Sequence, residues 1–312
     1  MSFAAMMLVA LALDLALGWP PALYARIGHP VTWLGALISA LESRWNHPRP
    51  ARRLWGAALA LVVVGVAALV GLVLQLALPA GWIGIVLGGI LAWPLVALRS
   101  MHDHVAAVLH PLALGDLPAA RRAVSMIVGR DPAALDEAGV ARAALESLAE
   151  NSSDGIVAPL FWGAVAGLPG IAAYKAINTL DSMIGHKSAR YAEFGWASAR
   201  VDDLANLVPA RLTGVIFALA SGRWRAAMGC MWRDAGKHRS PNAGWPEAAM
   251  AGALGVRLSG PRRYGLEVAQ EPWLNPDASD PDVATLRRGL ALYARAMAGV
   301  ALILGAVVFV SG

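Results

Sequence analysis

Residues 55–78 read WGAALALVVVGVAALVGLVLQLAL, and Gln75 is the one strongly polar side chain among them. As a helix this stretch extends about 36 Å, more than the ~30 Å hydrocarbon core of a bilayer, so it is expected to span a membrane. A Pro79-Ala80-Gly81 connector leads to WIGIVLGGILAWPLVAL, Trp82 to Leu98. Its tryptophans suit a membrane interface and its Pro94 is tolerated in a membrane helix, so the two segments form a helical hairpin. Ala291 to Val310 is a third span, with Arg295 near enough to its start to snorkel. Met1 to Leu17 is apolar apart from Ser2 and Asp14. It lacks the basic start and small-residue cleavage site of a signal peptide, which makes it a retained helix and a fourth span.

Composition agrees. Of 312 residues, 57% are hydrophobic and 15% charged, against about 25% charged in soluble proteins. These values exclude an ordinary soluble enzyme, and the apolar content with 12 Trp excludes disorder. The net charge of +5 does not imply a nucleic-acid partner, because the basic residues fall between apolar blocks rather than in a stripe with interleaved aromatics. The single Cys230 removes any intrachain disulfide and any cysteine-based zinc cluster. The expected fold is all-α and polytopic, with a membrane region at 1–98, a catalytic region at 99–290 and a C-terminal anchor at 291–312.

With these four spans, residues 18–54 and 99–290 share one side and carry every Lys and Arg except Arg295. The positive-inside rule places that side in the cytoplasm, at the inner membrane. Two stretches are ambiguous: Gly155 to Ile177, which holds Pro159, Pro169, Gly170 and Lys175, and Leu204 to Ala220, which holds Pro209 and Arg211. If both crossed, residues 178–203, with Lys187, Arg190 and Arg200, would be stranded outside. Shallow or re-entrant packing against protein is therefore expected.

The polar middle carries the candidate chemistry. Residues 118–150 read as two helices, the second capped by Asp131 with Pro132 at its first position. On that helix Glu146 and Glu150 stand one turn apart, a spacing that allows a shared Mg²⁺ and equally describes a solvated face. Asp154 in Asn151-Ser-Ser-Asp-Gly155 either coordinates a cation or caps the next helix. Asp181 lies in NTLDSMIGHK, and Asp202 with Asp203 forms a third acidic position at the edge of an apolar run. Four such carboxylates, with Asn151, Asn178, Lys187, Arg190 and Arg200, have the composition of a Mg²⁺-polyphosphate site. No phosphate loop, kinase motif set or dinucleotide fingerprint accompanies them. His102 and His104 flank Asp103 without a zinc-protease motif, and read as structural or solvent-facing. In SPNAGWPEAAMAGALG, Ser240 to Gly255, a loop should precede a short helix, with Asn242 and Glu247 placed to position a ligand.

Four blocks together resemble the membrane-bound cobinamide-phosphate synthase family of cobalamin biosynthesis, the CobD/CbiB type. They are DLALGWPPALYARIGHPVTWLG, ENSSDGIVAPLFWG, the 40-residue block from Lys175 to Gly214, and SPNAGWPEAAMAGALGVRLSG. The resemblance implies ATP- and Mg²⁺-dependent amide synthesis. Aminopropanol phosphate, or a related phosphorylated amino alcohol, would be joined to the propionate of adenosylcobyric acid. It places weight on Glu150, Asn151, Asp154, Asn178, Asp181, Lys187, Arg190, Asp202, Asp203, Asn242 and Glu247, without fixing which performs each step. Asp154, Asp181, Asp202 and Asp203 are the metal candidates; Lys187, Arg190 and Arg200 are the candidates for phosphate or corrinoid carboxylates. The corrinoid would lie at the bilayer surface against Phe161, Trp162 or Trp196, and late cobalamin-pathway proteins are the candidate partners. One departure stands out: Gly18-Trp19-Pro20 replaces the acidic form expected there. A transporter using Lys175 and Arg211, or a regulatory membrane protein, is the alternative reading.

Overall fold

The computed structural model describes residues 2–47, 50–129, 131–264 and 267–311. In chain order the helices are α1 (Phe3–Leu17), α2 (Pro21–Ile27), α3 (Pro30–Trp45), α4 (Arg52–Leu76), α5 (Trp82–Ala92), α6 (Leu98–Ala113) and α7 (Leu117–Val124). There follow α8 (Glu137–Ser152), α9 (Ala158–Leu180), α10 (Trp196–Ala205), α11 (Leu207–Ala220), α12 (Trp224–Asp234), α13 (Gly244–Leu254) and α14 (Val283–Ser311). The described strands are short antiparallel pairs, β1 (Leu258–Ser259) with β4 (Trp273–Leu274) and β2 (Arg262–Tyr264) with β3 (Glu267–Ala269). The fold is thus all-α in character.

Among the described residues four helical runs are long and apolar enough to cross a membrane, or up to six if each bent pair counts as one span. Three of the four expected spans are among them, in Arg52–Leu76, Trp82–Ala113 and Val283–Val310. The expectation for residues 1–17 needs correction. The 15 residues of α1 extend about 22 Å, short of a hydrocarbon core, and the segment qualifies only together with Pro21–Trp45. The fourth qualifying run is Glu137–Gly185, which contains the first ambiguous stretch.

The chain divides into two compact units, each built from separated segments. The first comprises Met1–Ala97, Ala158–Asn206 and Ile303–Gly312; the second comprises Leu98–Val157 and Leu207–Leu302.

In the first unit, α4 is the scaffold, and Leu59 and Val63 pack with Ile38, Ala176, Leu180, Ile184 and Phe194 in one buried cluster. The helix α9 is broken at Gly167, whose φ of +69° is open to glycine at little cost. A Cβ placed on Gly170 would stand 2.2 Å from the carbonyl oxygen of Trp162. Eight residues of straight helix would separate these positions by about 12 Å, so the chain doubles back at Gly167. The break orphans the amide of Leu168, and Gln75 Oε1 accepts it at 2.8 Å. The one strongly polar residue in the apolar stretch of α4 after Arg53 is therefore the acceptor that a broken membrane helix requires. Gly71, one turn earlier, lets the backbones meet, since a Cβ there would lie 2.6 Å from the Leu168 oxygen. The limb before the break rests on α1, with Gly163 against Met7. The fold-back therefore lies beside the last turn of α4, packed against protein.

In the second unit, Val140 to Ala149 of α8 are almost wholly buried. The cap of this helix is Asp136, which accepts the Gly139 amide at 2.7 Å. Asp131 instead accepts the Ala133 amide at 2.9 Å in the preceding turn, so the expected cap lies five residues too early. The loop and short helix expected in the SPNAGWPE block are present, with α13 starting at Gly244.

Candidate active site

Asp181 opens a π-helical turn, Asp181–Gly185, that continues the second limb of α9. Such a turn inserts an extra residue and re-aims its side chains, and it is frequent at functional sites. The Asp181 carboxylate lies over the following backbone, where a Cβ on Gly185 would meet its Oδ1 at 1.9 Å. It lies within electrostatic range of Asp203 and beside His186. Asp203 in turn lies 3.7 Å from Arg200 and within electrostatic range of Lys187. The first unit therefore gathers Asp181, Asp203, Lys187 and Arg200 in one charged neighbourhood.

The two neighbouring carboxylates of α10 do different things, because adjacent helical residues point about 100° apart. Asp202 is buried, and its Oδ2 accepts from the Asn206 amide at 3.0 Å. Asn206 Oδ1 accepts from the Tyr174 hydroxyl at 2.8 Å, and the carbonyl of Ala205 accepts from the Trp162 indole at 3.0 Å. Asp202 thus belongs to a chain that fastens α10 to α9, and Asp203 is the member turned toward Arg200 and Lys187. Asn178, one turn before Asp181, offers its carbonyl to the Ser182 hydroxyl at 2.8 Å.

Arg190 is already engaged. Its Nε and Nη2 donate to the two oxygens of the buried Glu42 at 3.0 and 2.8 Å, a fork that matches guanidinium to carboxylate. The Arg190 carbonyl accepts from Arg52 at 2.7 Å, and Arg53 pairs with Glu193 at 2.7 Å. Residues 186–195 are thereby fastened to α3 and the start of α4. Sequence reading missed Glu42, which lies 148 positions from its partner. Trp19, the departure from the expected motif, packs edge-on against His29 at 5.0 Å and beside Trp93 at 5.5 Å, so its ring fills space here.

In the second unit Asp154 is half-buried in another π-helical turn, Ser153–Val157. Glu150 and Asn151 are exposed at the end of α8, and the Asn151 amide donates to the Ser147 carbonyl at 3.0 Å. The solvated-face reading of Glu146 with Glu150 is corrected, and the shared-cation alternative gains nothing, since Glu146 is buried and its Oε1 accepts the Ser259 amide at 2.6 Å. Asn242 Oδ1 accepts from Arg211 at 3.2 Å, and that guanidinium lies 4.4 Å from the Trp245 ring centre. Glu247 is buried 3.7 Å from the Nε2 of His238. Both residues therefore organise the SPNAGWPE loop. Asp234, also unforeseen, is fully buried. Burial alone would raise its pKa, yet bonds from Arg233, Lys237 and the Asn275 amide outweigh it and hold the carboxyl far below the usual range.

Among the described residues no three His, Cys, Asp or Glu side chains are grouped to hold a metal on their own. Mg²⁺ bound with a polyphosphate needs only one or two protein carboxylates, the remaining ligands being phosphate and water. Asp181 and Asp203 fit that smaller requirement.

Three comparisons bear on identity. The family model described as CobD/Cbib protein matches residues 7–293. The chain is 71% identical to the cobalamin biosynthesis protein CobD of Rhodobacter capsulatus over 307 residues, 98% of each chain. It is 52% identical to the protein of that name from Brucella suis, covering 86% of this chain and 85% of the relative. With the protein of that name from Rhizobium meliloti the identity is 48%, over 86% and 85%. No solved structure matches. The chain, a polytopic helical membrane protein, belongs to the CobD/CbiB family of cobalamin biosynthesis.

Proposed function

We propose that this protein joins a phosphorylated amino alcohol, aminopropanol phosphate or a close relative, to the propionate of adenosylcobyric acid, forming adenosylcobinamide phosphate at the cost of ATP. The observation that carries the reading is the charged neighbourhood at the end of α9, where Asp181 and Asp203 stand with Lys187 and Arg200. Acidic oxygens for a cation beside cations for phosphate are what a polyphosphate substrate requires.

A carboxylate is a poor acyl donor because its leaving group would be oxide. Transfer of the γ-phosphoryl group to a propionate oxygen releases ADP and makes phosphate the leaving group. The amine then attacks the carbonyl carbon, the C–O bond to phosphate breaks, and the nitrogen gives up a proton. Mg²⁺, when bound, neutralises charge on the polyphosphate during the transfer. Lys187 and Arg200 orient phosphate or corrinoid carboxylates, and Arg190, fastened to Glu42, keeps residues 186–195 in place. The polar motifs face the cytoplasm in this reading, in keeping with the charge asymmetry.

The test is an omission series on purified protein in lipid nanodiscs. ATP consumption that requires both the corrinoid acid and the amino alcohol phosphate supports the proposal. Consumption indifferent to both substrates, or none under any Mg²⁺ concentration with folded protein, overturns it.

A further inference from the structure

The helix α12 has one buried and one exposed face. Ala227, Cys230, Met231 and Asp234 point inward, whereas Trp224, Arg225, Gly229, Trp232 and Arg233 are exposed. Trp224 is 51% and Trp232 67% accessible, unusual for tryptophan in a finished surface. Between Ser221 and Arg239 the basic residues are Arg223, Arg225, Arg233, Lys237 and Arg239, and the sole acidic residue is Asp234. Because Asp234 is fully buried beneath Arg233 and Lys237, the exposed face presents cations and indole rings without a carboxylate.

Position within the second unit says what covers this face. In α14 no charged residue follows Arg295, so this guanidinium marks where the helix enters hydrocarbon. Its Nε donates to the carbonyl of Ala220, the last residue of α11, at 3.0 Å. That bond sets the end of α11 at the membrane boundary, and α12 begins four residues later. A helix leaving the boundary there, with tryptophan and arginine outward, has the makings of one lying in the interfacial plane.

We propose that α12 lies along the bilayer surface and binds anionic phospholipid headgroups through Arg223 and Arg225, with Trp224 and Trp232 set into the interface. The surface is coupled to the SPNAGWPE loop, because Trp232 meets the Trp245 ring edge-on at 5.1 Å. The inference is independent of the reaction proposed above.

Gly229 gives a clean reporter position, being exposed with open space around its would-be Cβ. Cys230 is buried and its thiol is pushed up to about 12, chiefly by burial, so it resists labelling, and Cys230→Ala removes it altogether. The Gly229→Cys variant is labelled with an environment-sensitive dye in nanodiscs whose phosphatidylglycerol fraction runs from zero to about 30% in phosphatidylcholine. Quenching by spin labels near the headgroup should at least double over that range, and Arg223→Glu with Arg225→Glu should flatten the response. A reporter at Ala134→Cys, in an exposed turn, should stay unquenched throughout. Water-like emission from position 229 without lipid quenching would overturn the proposal and leave the face to an acidic soluble partner or to substrate. Quenching that ignores the anionic fraction, or survives the double charge reversal unchanged, would overturn the headgroup assignment.

Discussion

Replacing Gln75 with methionine keeps the side-chain length and volume but deletes the acceptor for the Leu168 amide. In the native protein that bond is 2.8 Å long, and no helical acceptor replaces it, because Gly167 breaks α9 and Pro169 follows immediately. Leaving a buried amide unsatisfied costs about 1–3 kcal/mol, and because Leu168 is buried the middle of that range is taken. About 2 kcal/mol corresponds to roughly 30-fold in an opening equilibrium. Hydrogen exchange measured on a peptide containing Leu168, in nanodiscs, should therefore quicken by that factor in Gln75→Met. Val73→Met, at an exposed position of the same helix, should leave it unchanged. Identical exchange in Gln75→Met and the wild type would show that the fold-back is held by other contacts and refute the role given to Gln75.

Three other outcomes are expected. Asp203→Asn should raise the Mg²⁺ requirement of the reaction by roughly 10–100-fold at normal abundance, whereas Asp202→Asn should lower thermal stability with little change in metal dependence; the reverse pattern would reassign the pair. Glu42→Gln should release residues 186–195, seen as trypsin cleavage after Lys187 or Arg190 about fivefold faster, the effect of ~1 kcal/mol for a pair whose arginine is mostly exposed. Asp280 is held at about 2 chiefly by the Arg257 fork, below the ~3.9 of an unfolded chain, so its contribution is present above about pH 4 and lost as the pH falls toward 2. The melting-temperature gap between wild type and Asp280→Asn should close over that window and be constant from pH 5 to 7.

Much of this was legible in the chain because apolar length is a local property: α4 and α14 declare themselves, and Pro94 marks the short 3₁₀ turn Trp93–Leu95 after α5. Pro169 and Gly170 made the stretch ambiguous, but where it folds back depends on Gly167 and on Gln75, 93 positions away from the amide it accepts. The division of labour between Asp202 and Asp203 needed the helix phase of α10 and the location of Asn206. Glu146 and Glu150 share a face by spacing, yet a two-residue strand distant in sequence claims the first. The π-helical turns at Asp154 and Asp181 leave no simple periodic mark, since one inserted residue shifts the pattern without altering composition.

The most direct measurement follows oxygen. Adenosylcobyric acid carrying ¹⁸O in its free carboxylate is incubated with ATP, Mg²⁺, aminopropanol phosphate and the protein in nanodiscs, and the products are weighed by mass spectrometry. Activation by phosphoryl transfer predicts a corrinoid amide that has lost one labelled oxygen, with that oxygen recovered in inorganic phosphate. Folded protein that forms no amide under these conditions, yet carries intact corrinoid across a sealed proteoliposome, would contradict the synthase reading.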